Sequence, residues 1–130
     1  MKIEELSVGD YLQNTNSNIG KVIGFTEQGE VIMRYAENST CFSELSMLRP
    51  IEITPEILEK NGFDIQDNGI YLNTKSDFYE IDAKEVLDGY WRIRVTSCEI
   101  INEQDEIHTS YVHSLQNFLT LCGVKLEIKL

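Results

Sequence analysis

From Ile107 through Val124 the chain carries no Asp, Glu, Lys or Arg, although charged residues make up 25% of the whole. At about 100° per residue, Tyr111, Val112, Leu115, Phe118, Leu119 and Cys122 fall on one stripe, which predicts a helix over 110–122 with that stripe against a core. Ser110 or Thr109 can cap its start and Gly123 can close its end. The opposite face holds His113, Gln116, Asn117 and Thr120. Open helix faces usually carry Glu and Lys, which form helix well and stay hydrated. Imidazole, amide and hydroxyl groups keep hydrogen-bonding capacity without the desolvation cost of a buried charge. This face is therefore expected to be partly covered, by the N-terminal part of the chain, by a second copy or by a partner, and its four residues are the candidate binding group.

Around this helix the pattern is that of strands. Val124, Leu126, Ile128 and Leu130 alternate with Lys125, Glu127 and Lys129, a period of two that predicts a half-buried strand over 124–130. The strongest strand pattern, 90–96, follows the turn pair Asp88-Gly89 and sets Trp91, Ile93 and Val95 on one side, with Tyr90, Arg92 and Arg94 on the other. Residues 69–73 and 78–81 read as further strands, and 83–87 fits either a helical turn or a continuation of the strand. A strand over 98–101 and a solvated loop over 102–106 complete the expected sheet.

The N-terminal part breaks into shorter pieces. Residues 19–25 and 30–35 read as a hairpin around Thr26-Glu27-Gln28-Gly29, followed by strands near 40–42 and 48–53. Short, closely spaced strands need closure or edge cover, and a small barrel resembling the Src-homology-3 type is the economical arrangement. Thr54-Pro55-Glu56 starts a helix with a cap, a proline at the first position and an acid at the positive dipole end; Asn61-Gly62 stops it and Phe63 folds back. The fold class expected is α+β, with a β-barrel over 1–53 and an antiparallel sheet with helices over 54–130, the connector helix being 54–62.

Length and charge narrow the function classes. A chain of 130 residues with 42% hydrophobic residues can bury a core. Its 22 acidic and 11 basic residues give a net charge of -11, and both halves share the excess. Phosphate backbones are bound through clustered Lys and Arg, so nucleic acid is not an expected partner; Arg92 and Arg94 are expected to pair with carboxylates. The early acids Glu4 and Glu5 do not suit a signal peptide, and no apolar run is long enough to span a bilayer. Cys41, Cys98 and Cys122 form no C-x-x-C pair. A cytoplasmic protein without disulfides or membrane association is expected.

The usual chemistries find few residues. His113 and Cys122 lie nine positions apart, on opposite sides of the predicted helix, so they cannot act as a Cys–His pair. His108 and His113 have no carboxylate on the helix to complete a metal site. The acidic runs around Asp77 to Glu85 and Glu103 to Glu106 do not follow the calcium-loop pattern, and the glycine-rich phosphate motifs and the G-x-S-x-G motif are absent. No catalytic residue, metal or cofactor is expected.

Three segments, residues 6–11 (Leu-Ser-Val-Gly-Asp-Tyr), residues 53–63 from Ile53 to Phe63 and residues 111–118 (Tyr-Val-His-Ser-Leu-Gln-Asn-Phe), resemble, in this order, a family of small proteins from gut anaerobic bacteria and their prophages. The Y-V-H-x-L-Q-N segment is the most specific. The resemblance spans nearly the whole chain and implies a cytoplasmic accessory protein linked to mobile elements, with no activity or residue role to carry over. The leading expectation is a non-enzymatic protein-interaction module. An acidic mimic of nucleic acid that occupies a host protein is the alternative, and a small enzyme using His113 with Asn117 is the third.

Overall fold

The structure, a computed structural model, describes residues 1–36, 39–99 and 103–130, which form two compact units, Met1–Ile51 and Glu52–Leu130. Together they make an α+β protein with two antiparallel sheets. No helix among the described residues is long and apolar enough to cross a membrane.

The first unit is a five-stranded sheet of β1 (Tyr11–Asn14), β2 (Ile19–Phe25), β3 (Val31–Ala36), β4 (Ser39–Ser43) and β5 (Leu48–Pro50), in the order β4-β3-β2-β1-β5. The expected hairpin forms because Thr26 closes its turn twice: its amide donates to the Glu30 carbonyl at 2.9 Å and its hydroxyl accepts from the Glu30 amide at 3.0 Å. Alternation then sends Val31 and Met33 inward, where they join Leu6, Leu12, Val22 and Leu48 in the core, with Tyr35 and Leu45 packed against it. Ahead of β1, the buried Asp10 accepts the Ser7 amide at 2.8 Å, and its own carbonyl takes the Val22 amide, also at 2.8 Å, so the entering chain is tied to β2. A 3₁₀ turn, Leu45–Met47, precedes β5. Among the described residues β4 and β5 are the two edges of this sheet, with no pairing between them.

The second unit begins with α1 (Pro55–Lys60), capped as the sequence predicts: the Thr54 hydroxyl accepts the Ile57 amide at 3.2 Å. Gly62 takes φ +88° past its end, and Phe63, fully buried, donates back to the Leu58 carbonyl at 3.0 Å. A second five-stranded sheet follows, with β6 (Asp64–Ile65), β7 (Tyr71–Asn73), β8 (Tyr79–Leu87), β9 (Tyr90–Ser97) and β10 (Gln104–Thr109) paired in the order β10-β9-β8-β7-β6. Residues 83–87 extend β8, so the ambiguous stretch is strand. Trp91, Ile93 and Val95 are buried, as the alternation of β9 requires.

Three expectations are corrected. Residues Gln104 to Glu106 are not loop but the start of β10, whose exposed edge position accommodates polar and acidic residues. Cys98 lies in the bend after β9, with its amide on the Phe78 carbonyl at 2.8 Å; the rest of the strand expected over 98–101, apart from Glu99, and the first residue of the expected loop, Asn102, lie outside the described residues. Residues 124–130 form no strand, although their burial keeps the predicted alternation, with Val124 and Ile128 buried.

Candidate functional site

The charge-free run folds as β10's last residues followed by α2 (Val112–Leu121). The helix starts later than the proposed caps: Tyr111 is the N-cap residue without a side-chain cap bond, while the Thr109 hydroxyl accepts the Tyr111 amide at 3.2 Å. Glu52 bridges to Tyr111, and the Ile53 amide donates to the Ser110 carbonyl at 2.8 Å, which seats the entry to α2 against the start of the unit. Val112, Leu115, Phe118 and Leu119 are buried as the stripe predicts, whereas Tyr111 is exposed and Cys122 half-buried.

The four candidate residues meet different fates. His113 is 2% exposed and stacks on the Tyr111 ring at 5.9 Å, so it belongs to the interior. Gln116 is half-buried and both ends of its carboxamide are engaged: Nε2 donates to the Leu126 carbonyl at 2.9 Å, and Oε1 accepts the Ile128 amide at 2.7 Å. Asn117 is half-buried; Thr120 is exposed and its hydroxyl donates to the Gln116 carbonyl at 3.0 Å. Gln116 and Thr120 line one shallow cavity of about 450 Å³ beside Val124 and Leu126, and His113 and Asn117 are not part of it.

Cover for the polar face of α2 thus comes in part from the chain's own 124–130 segment. The other side of that segment is held the same way. Asn61, just past α1, donates from Nδ2 to the Lys129 carbonyl and accepts the Lys129 amide on Oδ1, both at 2.7 Å, while Lys60 Nζ donates to the Leu130 carbonyl. Consecutive residues of an extended chain point their backbone groups to opposite edges. Two carboxamides therefore do for Leu126, Ile128 and Lys129 what neighbouring strands would do, and the period of two is realised without a ladder.

The opposite face of β9 is an ion-pair network. Arg94 Nε donates to both carboxylate oxygens of Asp82, at 3.1 and 3.2 Å, and Arg92 approaches Asp82 at 3.8 Å and Glu106 at 3.9 Å. His108 lies 4.0 Å from Glu106 and stacks with Tyr90 at 6.0 Å. The two arginines are thus committed to carboxylates, as the sequence suggests. On α2's far end the Cys122 sulfur lies 3.9 Å from Asp105 Oδ2; burial, and then the adjacent carboxylate, push this thiol above its ordinary pKa. Such a thiol is a poor nucleophile. Among the described residues no group of three His, Cys, Asp or Glu side chains is placed to hold a metal ion.

The strand expected near 40–42 forms as β4, and what sequence reasoning did not single out is its exposed position at a sheet edge. It reads Ser39-Thr40-Cys41-Phe42-Ser43, without a charge or a proline, and its first four residues are exposed. Register places Phe42 opposite Ile32 and Cys41 opposite the buried Met33. Beside it lies a cavity of about 530 Å³ lined by Tyr35, Cys41, Phe42, Met47, Glu30 and Glu44 among others. Phe42 is 65% and Met47 50% exposed. The signal available in the sequence is the uncharged strand itself, in a chain where one residue in four is charged. Compared with protein-family models, curated proteins and solved structures, the chain matches none of them.

Proposed function

We propose that the chain is a non-enzymatic protein-interaction module whose contact surface is the β4 side of the first unit, a Src-homology-3-like barrel left open between β4 and β5. The observation that carries this reading is Phe42, a large apolar side chain 65% exposed on an uncharged edge strand and flanking a cavity it shares with Met47 and Tyr35. Exposed apolar groups gathered at one concave place, rimmed by polar residues, are the mark of a protein contact. The chain's best-placed polar side chains point the same way, because Gln116, Asn61, Arg92 and Arg94 are engaged in holding the fold. The resemblance to small proteins of gut anaerobes and their prophages supports an accessory role in the cytoplasm, tied to a mobile element.

The test is a partner purified by capture on the full chain and then reconstituted with it. Phe42→Ser is expected to weaken that complex at least tenfold, while the variant's unfolding midpoint stays within the range of a surface substitution. Undiminished affinity of Phe42→Ser, with Met47→Ser equally silent, would discard the β4 surface as the contact.

A further inference from the structure

We infer that the partner contributes an extended segment, apolar at alternate positions and carrying Lys or Arg, which adds to the free edge of β4 as a further strand of the first sheet. The inference rests on the reading of β4 as the contact surface and goes beyond it in naming the mode and chemistry of the ligand.

The comparison of the four sheet edges carries the mode. An edge strand presents unpaired N–H and C=O groups, and chains that must stay unpaired blunt it with charge, proline or brevity. The edge of β5 is three residues long and contains Arg49 and Pro50. The edge at β6 is two residues long and contains Asp64. β10 carries Asp105, Glu106 and His108. β4 alone is five residues long with none of these devices. Among the described residues three edges are guarded and the fourth is not, and the unguarded one borders the cavity. A strand laid along β4 would gain main-chain hydrogen bonds, and its alternate side chains would meet Phe42 and Thr40 on one face and Cys41 and Ser43 on the other, of which Cys41, Phe42 and Ser43 line the cavity.

Charge selects the ligand. The cavity lining contains Glu30 and Glu44 and no Lys or Arg, and the whole chain bears -11. A basic segment is attracted to this seat and an acidic one repelled. The same argument turns a second copy away, since it would bring another -11 and a symmetric pairing would lay β4 against another β4, which carries no cation.

A displayed library of random peptides selected on the full chain tests both parts. The enriched peptides are expected to alternate β-branched or aromatic residues with polar ones and to carry Lys or Arg. A representative synthetic peptide should lose at least tenfold in affinity when one alternate set of its amides is N-methylated, and at least tenfold to the chain variant Thr40→Lys, which places a cation on the exposed edge strand. Amide shifts on binding should concentrate at residues 39–43. Absence of enrichment, acidic or helical enriched peptides, or indifference to both N-methylation patterns would overturn the inference. So would a concentration-dependent dimer of the free chain that Thr40→Lys dissolves, because the seat would then belong to a second copy. If the peptides fail while the reconstituted partner still depends on Phe42, strand addition falls and the contact surface stands. If neither depends on Phe42, the surface falls with it.

Discussion

At the scale of single residues, space and solvation make the sharpest demands. Gly20, on β2, is flanked by the Tyr35 ring: a Cβ there would meet two ring carbons at 2.8 Å and the Met33 methyl at 3.1 Å. Gly20→Ala is therefore expected to destabilise the chain by about 1–3 kcal/mol, because the ring must move. Urea unfolding followed by far-ultraviolet circular dichroism would measure it. Cysteine chemistry separates by environment too. Cys41 and Cys98 are exposed, whereas Cys122 is half-buried with its thiol pKa raised by desolvation and Asp105. Thiolate is the reacting form, so iodoacetamide at neutral pH should alkylate Cys41 and Cys98 before Cys122, and Asp105→Asn should speed the Cys122 reaction, as read by mass spectrometry. The sign for stability follows: the folded state holds the Cys122 proton more tightly than the unfolded chain, so its contribution is present below the ordinary thiol pKa and is lost as pH rises through the folded value.

At the scale of elements, the 124–130 segment tests whether two carboxamides can stand in for two strands. Gln116→Ala leaves the Ile128 amide and the Leu126 carbonyl without these partners, and Asn61→Ala does the same to Lys129, so each is expected to cost about 1–3 kcal/mol. Both grip one segment, so releasing one side weakens the hold of the other, and the double variant should depart from additivity by about 0.5 kcal/mol or more. Hydrogen exchange at the Ile128 and Lys129 amides, with urea midpoints for the cycle, would show it. The same segment shows where the sequence is readable. Its alternation announced burial of Val124 and Ile128, but its partners are side chains on α2 and past α1, which no local pattern names. The β2–β3 hairpin, α1 and β9 were legible because turn chemistry, capping and alternation are local. β10 was not, because an exposed edge tolerates the acids that make a stretch look like loop. His113 was expected on a partly covered face, and helical phase sets it beside the exposed Thr120, so its near-complete burial could not be told from the pattern alone. The β4 seat was invisible for a further reason: its character depends on which strand ends at a sheet edge, and strand order is a property of the whole unit.

For the whole molecule, the charge excess and the ion pairs oppose each other, and ionic strength can tell which dominates. With 22 acids against 11 bases, the unbalanced acidic groups repel one another over many ångströms, and screening acts over about 10 Å at 0.1 M salt. The Asp82 cluster is short-ranged and partly buried, with Asp82's side chain 13% exposed, so salt weakens it less. Raising salt from about 0.01 to about 0.15 M is therefore expected to raise the urea midpoint. Binding at β4 should respond with the opposite sign, because the attraction between an acidic seat and a basic segment is screened by the same ions. A midpoint that falls with salt would mean that the Arg92, Arg94 and Asp82 pairs outweigh the net repulsion. Asp82→Asn should then reverse that slope, since it leaves two arginines side by side with half their compensation gone. Measured on one preparation, stability rising and peptide affinity falling over a single salt series would place the acidity of this chain in its binding rather than in its folding.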